Sequence, residues 1–363
     1  MADTKAKIKG GSFLLQTPAP ADVFTPEDFT EEHKLIAQTA RDMSEKIFGM
    51  LHQIEQDKPT HSRKLLKEAG DLGLLGLEVP EQYGGLGLDK ITATVATEEF
   101  SRAGSFAITI GAHVGIGSLP IVYFGNAEQK AKYLPKLATG EWIAAYALTE
   151  PGSGSDALGA RTTAKLSADG KYYILNGTKQ WITNSGFADV FVVYAKVDGD
   201  KFSAFIVERQ YPGVSVGPEE NKMGLHASST CSLILEDAQV PVENLLGEIG
   251  RGHVIAFNIL NIGRWKLGAG TIGSSKYVLG VAANYANTRN QFSKPIASFR
   301  AIQQKLADMN IRTYVNESVA YRTAGLIDAN MADLDLSTAD GREATKRIEE
   351  YAIECSINKV FGS

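Results

Sequence analysis

Hydroxyls and glycines are concentrated in one stretch, Tyr146-Ala-Leu-Thr-Glu-Pro-Gly-Ser-Gly-Ser-Asp156. Thr149, Ser153, Ser155 and Asp156 are grouped around Gly152 and Gly154. Hydroxyl and backbone N–H donors with so little side-chain bulk suit a phosphate or a polar heterocycle that approaches the backbone. A second stretch, Trp181-Ile-Thr-Asn-Ser-Gly186, follows the strand-like Tyr172-Tyr-Ile-Leu-Asn-Gly177. It sets an indole two residues from the Thr183 hydroxyl, a stacking surface beside a hydrogen-bonding edge. Taken singly, the two stretches read as a chain reversal and a core tryptophan. Together, in one β-rich region, they point to a flat ligand with a phosphate tail.

The elements that must position these residues change character twice. Up to residue 140 the pattern is helical. Thr25-Pro26-Glu27-Asp28 reads as a helix start and Thr30 as a cap, with Leu35, Ile36, Ala40, Met43, Ile47 and Ile54 at helical spacing. Lys58-Pro59-Thr60 reads as a break, Asp89 as the cap of a helix to about Ser101, and Ala107 to Phe124 as one buried helix. From Glu141, short β-branched or alternating segments follow, with hairpin signals at Asp169-Gly170 and Asp198-Gly199-Asp200. After Gly247, two long helical runs and a third, capped by Ser337 or Asp340, predict an antiparallel bundle. The expected architecture is α+β and multidomain: a flexible arm over 1–24, a helical domain over 25–140, a central antiparallel β-barrel or sandwich over 141–247, and a helical bundle over 248–363. The last helix lacks a partner for its apolar face, so the bundle reads as truncated.

Composition narrows the function classes. The 363 residues are too many for one ordinary core, and 44% hydrophobic with 22% charged residues is a globular balance. A net charge of −5 with no Lys/Arg cluster argues against a nucleic-acid partner. The six histidines are scattered and the two cysteines far apart, so no metal site or disulfide framework is expected. No secretory signal or long uninterrupted apolar run is visible, which predicts a cytoplasmic location, with membrane association left open.

Six motifs, in order, give the chain a resemblance that spans nearly its whole length. They are Pro80-Glu-Gln-Tyr-Gly-Gly85, Ala147-Leu-Thr-Glu-Pro-Gly-Ser-Gly-Ser-Asp156, Asn176-Gly-Thr-Lys-Gln-Trp-Ile-Thr-Asn184, Lys222-Met-Gly-Leu-His-Ala-Ser228, Val240-Pro-Val-Glu-Asn-Leu-Leu-Gly247 and Arg289-Asn-Gln-Phe292. The chain resembles the acyl-CoA dehydrogenase family. Gly111-Ala-His113, Phe124-Gly125, Ile259-Leu-Asn-Ile-Gly-Arg264 and Lys359-Val-Phe-Gly-Ser363 look most like its very-long-chain branch.

The resemblance implies FAD as cofactor, a fatty acyl-CoA substrate, α,β-desaturation within β-oxidation, and an electron-transfer flavoprotein as acceptor. It implies cofactor contacts at Tyr146, Leu148, Thr149, Gly154, Ser155, Trp181, Ile182 and Thr183. Thr149 would serve the pyrimidine side of the flavin, Trp181 its ring face and Thr183 the region of N5. Arg289 and Phe292 would reach the FAD of a neighbouring subunit, making at least a homodimer with a shared site. Phe299-Arg300 stands where relatives often have a glutamine, a departure from the family pattern. Ser155, Asn261 and Arg264 would meet the CoA moiety. From the residues alone, Thr149 and Thr183 also read as strand threonines, Arg264 as a solvated helix arginine and Arg289 as part of an interhelical loop.

A catalytic base is the missing part. Gly263 occupies the place where some relatives carry it. Glu98 and Glu99 are adjacent on a helix, so at most one is expected to face inward, and solvated or structural roles are expected for them. Glu150 reads as motif scaffolding. No catalytic residue is therefore assigned, and the base glutamate is expected beyond Ser363. The competing readings are a truncated form that binds FAD or acyl-CoA without turnover, and a flavin oxidase or monooxygenase on the same fold.

Overall fold

The computed structural model describes residues 7–335 and 341–363. Thr30 opens α1 (Glu31–Gly49): its hydroxyl accepts from His33 N while His33 Nδ1 accepts from Thr30 N, a reciprocal cap. The expected helix start at Thr25 is a single 3₁₀ turn, Pro26–Asp28. After α2 (Leu51–Gln56), Pro59 does not break a helix but lies in the first turn of α3 (Lys58–Asp71). Its missing N–H is an orphan there in any case, and Asp57 caps the turn by accepting from Thr60 N. Asp89 caps α4 (Lys90–Phe100) as expected, accepting from Thr92 N at 2.8 Å.

The run expected as one helix from Ala107 to Phe124 divides into α5 (Ala107–Gly111), a π-helical turn over Ala112–Gly117, and α6 (Leu119–Phe124). Ser118 N reaches back five residues to His113 O, and three glycines in the tract leave room for that wider turn. By length and composition Lys90–Phe124 could cross a membrane, but 67% of its most apolar window is buried in the helical layers. α7 (Ala127–Ala138) completes this part of the chain.

The central sheet holds β1 (Ala144–Ala147), β2 (Thr163–Leu166), β3 (Tyr172–Thr183), β4 (Val190–Val197), β5 (Lys201–Glu208), β6 (Val214–Val216), β7 (Thr230–Pro241) and β8 (Leu245–Leu246). Its order is β6-β7-β3-β2-β4-β5-β8, with β1 also on β4. Both expected hairpins are present, β2–β3 through Gly170 and β4–β5 through Asp198-Gly199, all three residues at positive φ. The sheet is mixed, however, not purely antiparallel. β1 and β2 both run parallel to β4, each reaching it by a long excursion in place of a hairpin. Local turn signals specify consecutive pairs and are silent on such non-consecutive ones. β4 is the hinge of the packing: Val190, Val192 and Tyr194 face the helices, while Phe191, Val193 and Ala195 fill the core of the β domain. That two-sided burial explains its unbroken apolar run.

α8 (Gly252–Thr288) starts against β5 and continues for 37 residues, about 55 Å at 1.5 Å per residue. A short hairpin, β9 (Asn290–Gln291) and β10 (Lys294–Pro295), leads into α9 (Arg300–Met331). The expected third helix is two, α10 (Gly341–Glu349) and α11 (Ala352–Gly362); its proposed caps Ser337 and Asp340 lie outside the described residues. α8 packs so closely on α4 that a Cβ on Gly273 would stand 2.1 Å from Glu98 O.

The expected free arm is seated on α9–α11 from Lys7 onward. Gly10 N donates to Glu350, Gly11 N to Glu354, and Tyr351 donates to Ile8 O, while Lys7 pairs with Asp333. The other feature the sequence pattern hid is a buried ionic cluster. Glu78 accepts from Lys90 Nζ at 2.6 Å and from Lys266 Nζ, and the three residues are 6, 2 and 9% exposed. It joins the loop after α3, α4 and α8, with the Lys90 amine 5.4 Å from the centre of the Tyr123 ring.

Candidate active site

The site begins where β1 leaves the sheet. β1 is buried throughout and hydrogen-bonded to β4, which fixes the direction of the chain into Leu148 and Thr149. Glu150 and Ser153 exchange backbone bonds of 2.9 and 3.1 Å, so Pro151-Gly152 forms a tight reversal. Ser153 Oγ donates to Asp156 O, and Asp156 caps the next turn through Gly159 N. Gly152, Gly154 and Ser155 are left exposed, and a Cβ on either glycine would meet nothing within 4 Å. The result is an open ledge of bare backbone and hydroxyl.

Glu150 holds that ledge. It is 7% exposed and accepts from Lys179 Nζ at 2.7 Å, Thr162 Oγ1 at 2.5 Å, Thr162 N at 3.1 Å and Arg161 N at 2.6 Å. Burial pushes its carboxyl up, but Lys179 and the donors outweigh that and hold it below the usual range. Its expected scaffolding role is the one the geometry shows. Glu150→Gln keeps the shape and removes the charge that answers Lys179. The expected cost is about 2 kcal/mol, as for a hydrogen bond to a charged group, read from urea unfolding.

The second stretch depends on a β-bulge. The β3–β7 register shifts between Lys179 and Ile182, and Trp181 has φ 58°. Strict alternation from the buried Lys179 would turn Trp181 inward. The extra residue reverses the order, leaving the indole 60% exposed and Ile182 2% exposed in the β core. Asn184, also left-handed at φ 70°, closes the segment. Two such residues bracketing Ile182-Thr183 are the strained backbone that recurs at ligand sites. Gln180 N donates to Thr149 O at 2.8 Å, so the two stretches are joined directly. Lys222 Nζ donates to Leu225 O, Ser228 O and Thr230 Oγ1, and Thr230 is the cross-strand partner of Thr183.

Thr149, Gly154, Ser155, Trp181 and Thr183 thus lie on one accessible rim. Three other expected contacts are core residues. The Ile182 side chain faces away into the β domain. Leu148 is 8% exposed, and its carbonyl accepts from Lys179. The Tyr146 ring packs edge-on against Tyr194 at 5.3 Å, its hydroxyl reaching Ala256 O of α8 at 3.5 Å. The reason is the same for all: alternation along β1 and the bulge in β3 assign their side chains to the packed faces.

On α8, Asn261 Oδ1 accepts from Arg264 Nη1 at 2.6 Å, which joins the expected CoA-side pair. A Cβ on Gly263 would stand 3.5 Å from Ile116 of the π-turn. Arg289 and Phe292 sit at the far end of α8. Phe292, at φ 51°, is 82% exposed and touches Phe299 edge-on at 6.1 Å. Within one chain they are about 55 Å along the helix from its start at the β domain.

Glu98 and Glu99 depart from expectation, since both are buried at 5% exposure. α4 is covered by α1 on one side and by α8 and α9 on the other. Glu98 accepts from Lys276 and Tyr321; Glu99 accepts from Arg41 and forms an ion pair with Arg102. The residues that escaped sequence reasoning here are Asn184 as a bridging side chain, His113, and the Glu78 cluster. The left-handed turn at Asn184 had a signal, asparagine being prone to it; His113 stood out only within the Gly111-Ala-His113 motif, and the Glu78 cluster had none.

Comparison with known proteins identifies the fold. Family models for the acyl-CoA dehydrogenase N-terminal, middle and C-terminal domains match residues 30–141, 145–238 and 250–351. A "Probable acyl-CoA dehydrogenase" of Bacillus subtilis (strain 168) is 64% identical over 366 residues, covering 100% of this chain and 62% of the relative. The mitochondrial very long-chain specific acyl-CoA dehydrogenase of Macaca fascicularis is more distant, 43% identical over 307 residues, covering 81% of this chain and 44% of that enzyme. The crystal structure of an acyl-CoA dehydrogenase complexed with FAD from Bacillus anthracis superposes with a TM-score of 0.96 at 63% identity, covering 98% of this chain and 62% of that one. The chain therefore spans roughly three fifths or less of the length of these relatives. With the three domain models matched in order along the chain, and relatives of this identity, this chain belongs to the acyl-CoA dehydrogenase family.

Proposed function

We propose that this chain binds FAD and a long-chain fatty acyl-CoA and carries the flavin-holding part of an acyl-CoA α,β-dehydrogenase. The observation that carries the reading is the bulge at Trp181. It turns an indole outward beside Thr183, on a strand bonded directly to the ledge of Thr149, Gly154 and Ser155. Such a surface, next to backbone that no side chain covers, fits a flat ring with a pyrophosphate tail. When bound, FAD supplies the hydride acceptor for the desaturation. The chain's own residues stack, orient and hydrogen-bond: Trp181 offers the face, Thr149 and Thr183 the edges, Gly154 and Ser155 the phosphate donors. Asn261 pre-orients Arg264, whose guanidinium suits the phosphates or adenine of CoA.

The long-chain assignment draws on the motifs that resemble the very-long-chain branch. The exposed Arg289–Phe292 hairpin supports a dimer in which each subunit contributes Arg289 to its partner's FAD. An electron-transfer flavoprotein follows as acceptor from the family reading. Glu98, Glu99 and Glu150 are all committed to buried ion pairs, which supports a structural role for each in place of a base.

The test is flavin uptake by the purified chain, followed by its absorbance on adding a long-chain acyl-CoA. A chain that takes up no FAD sinks the proposal, and measurable desaturation would place a base among these residues. Trp181→Ala is expected to weaken FAD binding about tenfold, the loss of one aromatic stacking contact, by fluorescence titration.

A further inference from the structure

Both strands of the flavin rim are tied to the same short piece of the helical domain. Asn184, the residue after β3, has 0% exposure and a left-handed backbone. Its Nδ2 donates to Thr109 O of α5 at 2.9 Å. Asparagine is one of the few L-residues at ease in that conformation, so one residue both turns the chain and bridges the domains. Its backbone is fixed on the β side: Asn184 N donates to Ser229 O, and its carbonyl accepts from Phe187 N and Ala188 N at 3.0 and 2.8 Å. Four residues beyond Thr109, His113 is also fully buried. Its Nδ1 accepts from Ala144 N at 3.0 Å, and its Nε2 lies 3.0 Å from Leu137 O. Ala144 opens β1, which leads into Thr149. Between the two contacts α5 passes into the π-turn, a departure from α-geometry that recurs at functional sites.

We infer that Thr109–His113 is a positioning platform for both flavin-facing strands, with Asn184 and His113 as the positioning residues. The inference rests on the reading of the rim as a flavin site. Asn184 acts through Trp181 and Thr183, and His113 acts through β1 and Thr149. Since one helical segment seats both, the stacking face and the hydrogen-bonding edge keep a common spacing. The helical domain that packs around α8 is registered to them at the same time.

The test uses the 363-residue chain with Asn184→Gly, His113→Asn and the double variant. Glycine keeps the left-handed turn and deletes the bridge, so strain does not confound the result. In the flavin-free chain, amide exchange is expected to quicken about tenfold or more at Ile182–Asn184 in the first variant and at Ala144–Ala147 in the second, as local opening becomes easier. With FAD bound, each variant is expected to change the visible circular dichroism of the flavin and to raise its dissociation constant about tenfold. The double variant should fall short of the product of the two, because both act through one segment. Leu65→Ala, a comparable loss of stability in the helical core, should leave the flavin dichroism unchanged. Wild-type exchange in both strands, or wild-type flavin dichroism in both variants, overturns the inference. If the unmodified chain takes up no FAD, the flavin reading fails, and the exchange data still decide whether the platform exists. Should Asn184→Gly not fold, Asn184→Asp keeps size and turn but sets an acceptor against Thr109 O, and is held to the same outcomes.

Discussion

Glu78→Ala is expected to destabilise the chain by about 3–5 kcal/mol, the range for breaking a buried ion pair by removing one partner. The carboxylate sits between two ammonium groups that are nearly out of water. Burial pushes its pKa up, but Lys266 and Lys90 outweigh that and bring it to about 2. The two amines move in opposite directions. Lys90, despite its burial, is raised by Glu78, whereas for Lys266 burial wins and the amine is lowered. Removing Glu78 leaves the Lys90 and Lys266 ammonium groups buried without the carboxylate that joined them; Asp328, the nearby acid, accepts from the Lys90 backbone N–H and not from its amine. Urea unfolding of the variant measures the loss. Replacing all three together (Glu78→Leu, Lys90→Met, Lys266→Met) should recover most of it, because no unpaired charge remains. Failure of the triple variant to regain stability over Glu78→Ala would show that the cost was packing and not charge. The pH dependence has a definite sign. A depressed carboxyl contributes stability that is fully present above its ordinary 4.5 and is lost as pH falls through about 2.

His113 has the second large effect. Its Nδ1 accepts from a backbone N–H, so the ring proton belongs on Nε2, facing Leu137 O. The Nδ1 bond requires the neutral ring, because a protonated Nδ1 cannot accept from Ala144 N, whereas the Nε2 bond to Leu137 O survives in either state. Burial lowers the pKa from 6.5 to about 4. The unfolded chain therefore takes up a proton near pH 6.5 and the folded chain does not until about pH 4. Stability from this group is complete above pH 6.5 and declines as pH falls to 4, by about 3 kcal/mol at ~1.4 kcal/mol per pH unit. The measurement is unfolding free energy against pH for wild type and His113→Asn, taking the difference. That subtraction matters because Asp328, raised to about 7 by burial, titrates in the same window with the opposite sign. A difference that stays flat between pH 7 and 4 would refute the assignment.

How much was legible beforehand follows the range of the interactions. Asp89, Thr30, Asp169-Gly170 and Asp198-Gly199 act on backbone within a few residues, and each cap or turn is where local chemistry placed it. Pro59 misled because the same ring ends one helix or begins the next, and the cap at Asp57 decides which. The Ala107–Phe124 run misled because a π-turn costs no change in apolar pattern. The rim residues Thr149, Ser155, Trp181 and Thr183 stood out by type and spacing. Tyr146, Leu148 and Ile182 stood beside them in the motif, and nothing in the motif says which neighbours face inward.

Residue types and short-range spacing by themselves determined the helix–sheet–helix order, the caps, the hairpins and the two stretches that form the rim, since propensity, capping and turn geometry act over a few residues. Tertiary structure alone decided the parallel pairing of β1 and β2 on β4, the face presented by Trp181, and the partners of Asn184 and His113. It also decided the burial of Glu78, Glu98 and Glu99. Each of these depends on a contact between residues distant in the chain, and there a one-residue bulge or a helix covered on several sides reverses what alternation or polarity would predict.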